Sequence, residues 1–441
     1  MSVFNVSMPF MKLKQFGNTY APKGSFKANV LTLMTGTAIA QMITVAISPV
    51  LTRLFTPEAF GALGVYLSLV AIVGAVVTSR YDQAMMLPKD TEVAAVLFWD
   101  SILSVGVISG FSLLCCVLFF EQILSILKVR ELSVAIFLLP VSIFFFGIYA
   151  TLNSWSTRQK KFSRSSISQV VRSLAISGVQ MFSGILQTGP VGLIGGVLAG
   201  DCFAALTLGW QVKRDDWPIL KRSLCWDKMK CVAKQYRDFP LFSSTQNLLN
   251  AISQNIPLLL LAKFFGPAVT GFYVLGVRGI QIPMNLFLTS LRQVFFQRAS
   301  ELYNQGGDTY ALFKRTTLSL LALVAIPALA IILFGPGIFA FVLGQKWAVA
   351  GEYARWLILW LMLMFANVPA VLFAQIYRKQ KSVLIQDICL LTLRVLAIVI
   401  GGLRSSPLLA VVLYSLVGVF FNLFIIFWVG NFLRKGNRAQ G

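Results

Sequence analysis

The sequence predicts an all-α integral membrane protein of about twelve transmembrane helices. They form two parallel six-helix halves around a central cavity, with the N and C termini both cytoplasmic. Three observations carry this reading. Of 441 residues, 57% are hydrophobic and 12% charged, whereas soluble chains sit nearer half and a quarter. The apolar residues come in blocks of about twenty, the length that crosses a hydrocarbon core of about 30 Å. The order of these blocks then repeats itself halfway along the chain.

The first set of spans is read near 28–52, 60–79, 94–120, 134–156, 167–186 and 190–211. The second is read near 240–265, 269–291, 316–343, 354–376, 383–403 and 407–430. This divides the chain into a cytoplasmic segment 1–27, a six-helix half 28–211, a cytoplasmic linker 212–238, a second half 239–430 and a tail 431–441. The linker is rich in charge and partly amphipathic. Residues 1–27 carry four lysines but neither an apolar core nor a small-residue cleavage site, so no cleavable signal peptide is expected. The segment 267–298 reads as one over-long helix, expected to bend near Pro283.

Orientation follows from the cations. With the N terminus inside, the inner segments hold about 27 of the 38 Lys and Arg, and the outer loops about seven. This is the positive-inside pattern. The net charge of +22 therefore reports topology and contact with anionic headgroups. No nucleic-acid partner is expected, because the cations are scattered over short loops.

The internal repeat is explicit. Leu51-Thr-Arg-Leu-Phe-Thr-Pro-Glu-Ala-Phe-Gly61 ends the first span and opens the second, and Leu261-Ala-Lys-Phe-Phe-Gly-Pro-Ala-Val-Thr-Gly271 does the same at the seventh and eighth. Arg172-Ser-Leu-Ala-Ile176 in the fifth span matches Arg394-Val-Leu-Ala-Ile398 in the eleventh. Just before them stand Arg158-Gln-Lys-Lys161 and Arg378-Lys-Gln-Lys381. An even number of spans per half makes the halves parallel, which places a cargo site between them near the midplane.

Polar residues inside spans are the candidate site. Thr37, Gln41, Thr44 and Ser48 form a stripe on the first helix, and Asn247, Asn250 and Gln254 a matching stripe on the seventh. Such stripes face protein or water rather than lipid. They either line a cavity or join helices by hydrogen bonds. Four arginines lie in spans, Arg172, Arg278, Arg292 and Arg394, each costing about 2.5–3.5 kcal/mol at mid-helix on insertion scales. Arg292 and its counterpart Arg80 sit near the cytoplasmic ends, within reach of headgroups. Arg278 and Arg394 lie too deep for that. All five are candidate cargo ligands, because a guanidinium binds carboxylate or phosphate with paired hydrogen bonds. The intramembrane acids are Asp100, Asp201 and Asp387, with Asp82 at the edge. They could pair with arginines, Arg172 with Asp201 and Arg394 with Asp387, or take up a coupling ion. Cations outnumber anions at depth, so a net-positive cavity suited to an anionic cargo is expected.

Other chemistries find no footing. There is no histidine, which removes His metal ligands, triads and His proton relays. The six cysteines show no ligand spacing, and no disulfide, metal site or cofactor is expected. A membrane glycosyltransferase or polymerase would need a sizeable outer loop for its acceptor, and the outer loops here are about a dozen residues or shorter.

The segments LTRLFTPEAFG (Leu51 to Gly61) and RYDQAMMLPKD (Arg80 to Asp90) resemble the start of bacterial oligosaccharide flippases. That family is the Wzx-type, polysaccharide-transport branch of the multidrug/oligosaccharidyl-lipid/polysaccharide exporter superfamily. YRDFPLF (Tyr236 to Phe242), LLLLAKFFGPAVTGFY (Leu258 to Tyr273) and VFFQRASE (Val294 to Glu301) agree with it. The resemblance covers nearly the whole chain. It implies a non-enzymatic flippase of the bacterial inner membrane. Its cargo would be undecaprenyl-diphosphate-linked oligosaccharide units, moved to the periplasmic leaflet by alternating access for O-antigen and other lipopolysaccharide, capsule or exopolysaccharide assembly. Polymerase and chain-length machinery are the partners it suggests. A multidrug exporter of the same superfamily is the alternative, although a cationic cavity repels organic cations.

Overall fold

The computed structural model describes residues 26–122, 133 and 135–440, and among them every regular element is helical. Helix α1, Phe26–Leu54, is joined by a two-residue corner to α2, Pro57–Gly74. Thr56 starts α2: its Oγ1 accepts the Ala59 N–H at 3.4 Å, and Pro57 takes the first position, where no N–H is needed. A short turn, α3 (Tyr81–Ala84), leads to α4 (Thr91–Leu118), which is capped by Asp90 accepting from the Glu92 N–H. Then come α5 (Leu139–Arg158), α6 (Phe162–Ile185) and α7 (Pro190–Ser223). The connecting helix α8 spans Trp226–Gln235.

The C-terminal set opens with α9, Ser244–Asn304, and continues with α10 (Thr309–Leu343), α11 (Ala348–Ala366) and α12 (Val368–Ile376). It ends with α13 (Gln380–Leu403) and α14 (Pro407–Gln440). The backbone of α9 leaves helical geometry at Gly266, with φ 81° and ψ −178°, between the spans read near 240–265 and 269–291, while no departure from helical φ/ψ marks the bend expected near Pro283. The cause is local. The ring of Pro267 disfavours α geometry for the residue before it, and this region of φ/ψ is essentially confined to glycine.

Ten segments of the described residues are long and apolar enough to cross a membrane, so the chain is a multi-pass membrane protein. One of the ten, Phe239–Asn285, contains the Gly266 break and so has two arms. Helix α6 is absent from the ten because serines, two arginines and two glutamines dilute its apolar residues. Twelve crossings therefore require both arms of α9, and the polar α6, to cross.

The repeat is visible in the backbone. Lys160 and Arg378, both at φ 56°, lie 218 residues apart, as do Gln187 (φ 53°) and Ser405 (φ 50°). Each ends a helix in a left-handed cap, with the next N–H reaching back five residues: Lys161 to Ser156, Lys379 to Ala374, Thr188 to Ser183 and Ser406 to Gly401. This register sets Arg394 opposite Ile176, and Arg172 opposite Leu390. Side-chain contacts agree, since a Cβ on Gly200 would meet Ile176 and one on Gly418 would meet Arg394. The Arg-x-Leu-Ala-Ile match seen in the sequence is thus out of structural register by about one helical turn.

The two sets meet along α2 and the second arm of α9. A Cβ on Gly61 would overlap the Pro267 carbonyl oxygen, and one on Gly271 would overlap that of Pro57. Each repeat segment therefore presents to the other the patch it receives, as a pair related by a twofold axis does. Only glycine permits this backbone-to-backbone approach.

Candidate functional site

A cavity of about 800 Å³ lies where the two sets meet. Helix α1 contributes Gln41, Thr44 and Ser48, α6 contributes Arg172, Ile176 and Gln180, and the second arm of α9 contributes Arg278. The remaining wall is mostly apolar, with Leu63 and Leu67 of α2, Val197 of α7, and Leu275 and Ile282 of α9.

Helix α1 is held against α6 by its own polar stripe. Thr37 Oγ1 donates to Gln169 Oε1 at 2.7 Å, and Thr44 Oγ1 lies 3.3 Å from Ser173 Oγ. Ser173 also donates to the Ala40 carbonyl. The stripe joins helices at Thr37 and Thr44 and lines the cavity at Gln41, Thr44 and Ser48. Gln41 Oε1 is buried with no hydrogen-bond partner, an open acceptor beside the space. Gln180, which sequence reading passed over, anchors α6 to α7 by donating from Nε2 to the Leu193 carbonyl at 2.9 Å.

The two cavity arginines differ in charge balance. Arg172 Nε donates to Asp201 Oδ1 at 2.5 Å, its side chain 35% exposed and that of Asp201 1% exposed. Its guanidinium also stands over the Tyr149 ring, 5.9 Å from the centroid. Arg278 makes no ion pair among the described residues. No acid appears in the cavity wall among the described residues, so Arg278 gives this mostly apolar space an unbalanced positive charge.

The other residues singled out from the sequence lie elsewhere. Asn247 Nδ2 donates to the Ala75 carbonyl at 2.7 Å, tying α9 to the end of α2. Asn250 and Gln254 bond to each other on an exposed face of α9, outside the cavity wall. Arg394 is stacked between Trp360 and Tyr414, 4.5 and 4.3 Å from their ring centroids, and does not pair with Asp387. Asp387 is exposed on α13. Asp100 is 5% exposed, and its Oδ2 lacks a partner. Arg80 takes a left-handed conformation ahead of α3, and Arg292 is exposed on α9.

The turn that follows α10 packs on the corner between α1 and α2, next to Phe60 and Leu343 of the cavity wall. Trp347 is fully buried. Its Nε1 donates to the Thr52 carbonyl at 2.8 Å, and its ring meets Phe60 edge-to-face at 5.3 Å. Beside it, Lys346 Nζ donates to the Phe55 carbonyl at 2.6 Å. These bonds join the C-terminal set to the corner between α1 and α2 through backbone acceptors. A search for Lys–Asp or Lys–Glu pairs in the sequence could not have found them.

The fold recurs in solved transporters. The chain superposes on an inward-facing multidrug resistance MATE family transporter of the MOP superfamily, with TM-score 0.65 and 15% identity, over 92% of this chain and 96% of that one. It also superposes on the lipid II flippase MurJ in an inward closed conformation, with TM-score 0.67 and 14% identity, over 91% and 87%. A MOP superfamily transporter from Pyrococcus furiosus, described as having a binding pocket of reversed polarity, matches with TM-score 0.54 and 16% identity over 94% and 97%. No curated protein matches in sequence. The family model described as polysaccharide biosynthesis protein matches residues 50–352. On that match, which spans most of the chain and agrees with the resemblance read from its motifs, the chain belongs to the polysaccharide biosynthesis protein family and is built on the MOP transporter fold.

Proposed function

We propose that the protein is a flippase. It moves undecaprenyl-diphosphate-linked oligosaccharide units from the cytoplasmic to the periplasmic leaflet of the bacterial inner membrane by alternating access, for O-antigen, capsule or exopolysaccharide assembly. The unbalanced guanidinium of Arg278 in a cavity of about 800 Å³ carries this reading. A fixed cation in a low-dielectric space favours an anion and repels a cation, and its planar donors suit phosphate oxygens. Gln41, Thr44 and Ser48 supply neutral hydrogen-bonding groups of the kind that hold sugar hydroxyls. Arg172, already paired with Asp201, is the secondary contact.

In this proposal residues 28–211 and 239–430 are the moving halves, both termini are cytoplasmic, and the Trp347 contact is an outward-facing closure. The cavity is then shut toward the periplasm and receives cargo from the inside. A multidrug exporter of the same superfamily would bind organic cations in this space, which Arg278 opposes. The discriminating experiment reconstitutes the protein in liposomes with a fluorescent polyprenyl-diphosphate disaccharide and, separately, a cationic dye. Transbilayer movement of the diphosphate lipid alone is expected. Movement of the dye alone would reverse the assignment.

A further inference from the structure

The C-terminal set treats its deep arginine differently from the N-terminal set. In α6, Arg172 meets a carboxylate across the helix pair. The structural register puts Leu390 and Val419 where Arg172 and Asp201 stand, so that ion pair has no counterpart. A guanidinium enters instead one turn along, at Arg394, opposite the place of Ile176. Among the described residues no carboxylate lies within ion-pairing distance of it. Its Nε is buried and has no hydrogen-bond partner. Trp360, on which it stacks, is 6% exposed, and its Nε1 N–H is likewise buried without an acceptor.

Two buried N–H donors on stacked side chains, one of them charged, are an expensive arrangement. An unmet buried donor costs about 1–3 kcal/mol, and more when charged. Stacking on two rings offsets part of the charge but supplies no acceptor to either N–H. Arg394 as a residue is half-buried, although its Nε is not exposed. We infer that Arg394, Trp360 and Tyr414 form a resident site for a small monovalent anion such as chloride. The ion would accept from Arg394 and from Trp360 Nε1, and do for α13 what Asp201 does for α6. The site is separate from the central cavity and does not depend on the cargo.

The test melts the purified full-length protein in sodium chloride and in sodium gluconate at equal ionic strength. The wild type should gain stability with chloride along a saturating curve. In an Arg278→Met background, which removes the cation of the central cavity, Arg394→Met should melt alike in both salts. Trp360→Phe keeps the ring but loses the N–H, and should need about tenfold more chloride for half the effect, the loss of one hydrogen bond to a charged group. Arg278→Met should keep the wild-type response. Equal melting of the wild type in both salts would overturn the inference. So would an unchanged chloride response in Trp360→Phe, which leaves the test intact if Arg394→Met does not fold, or a response abolished by Arg278→Met.

Discussion

At the scale of the residue, the contrast between Arg172 and Arg278 decides what each can do. Both carry the insertion cost of a deep arginine. Arg172 recovers it from Asp201, which is buried against it, and that contact leaves less of its charge for a cargo. Removing one member of such a pair strands the other. Asp201→Asn should therefore lower the melting temperature, and the double change Arg172→Met with Asp201→Leu should recover most of the loss. Thermal unfolding of the three purified proteins checks this. A double variant no more stable than Asp201→Asn would show that the pair does more than neutralise charge.

At the scale of the element, the repeat makes matched predictions. Gly61 and Gly271 face backbone oxygens across one contact, so Gly61→Val and Gly271→Val should each force α2 and α9 apart. Both should cut the yield of folded protein severely and to a similar extent, as size-exclusion profiles would show. A large effect from one and none from the other would contradict the reciprocal packing. Much of this was legible in the sequence, because glycine and proline at fixed spacing record a backbone requirement. Other features were not. The run Arg-x-Leu-Ala-Ile looks conserved between the repeats, yet the caps at Lys160 and Arg378 set a different register, since a one-turn shift keeps the same helix face. Pro283 drew attention as a bend, but a proline within a helix need not break it. The break lies at Gly266, where the spans near 240–265 and 269–291 already set a boundary, because Pro267 disfavours α geometry for the residue before it. Helix α6 was read as a span, but its polarity keeps it out of the ten apolar segments, and that polarity serves its contacts with α1 and α7.

At the scale of the whole molecule, the sequence foretold a cavity between two repeats but not which arginines would face it. Depth along a helix is readable from spacing, whereas facing depends on neighbours: Arg394 met two aromatic rings, and Arg278 met open space. The contact at Trp347 was also hidden, because its partners are backbone carbonyls. In the proposed alternating access, the Trp347 contact must break for the cavity to open outward. Trp347→Ala should favour the outward-open form, seen as faster labelling of a single cysteine at Ser48 by an impermeant reagent added outside, in a background lacking the six native cysteines. Unchanged labelling would remove Trp347 from the gate. The membrane potential, inside negative, favours outward movement of an anion by about 2.3 kcal/mol per charge per 100 mV. Asp100, Asp201 and Asp387 are the candidates for a coupled ion instead. If the potential alone drives transport, Asp100→Asn and Asp387→Asn should flip cargo at the wild-type rate across imposed pH and sodium gradients. Loss of a gradient response in either variant would assign coupling to that acid.

In the proposed flippase the unbalanced charge of Arg278 holds the diphosphate. The most direct measurement is the flipping rate of a fluorescent polyprenyl-diphosphate disaccharide in proteoliposomes containing equal amounts of wild-type, Arg278→Lys or Arg278→Ala protein. A loss of at least tenfold is expected for alanine, since a hydrogen bond to a charged group contributes about 1.5–3 kcal/mol. Lysine should restore the rate only partly, because it keeps the charge and loses the paired donors. A wild-type rate in Arg278→Ala would contradict this role.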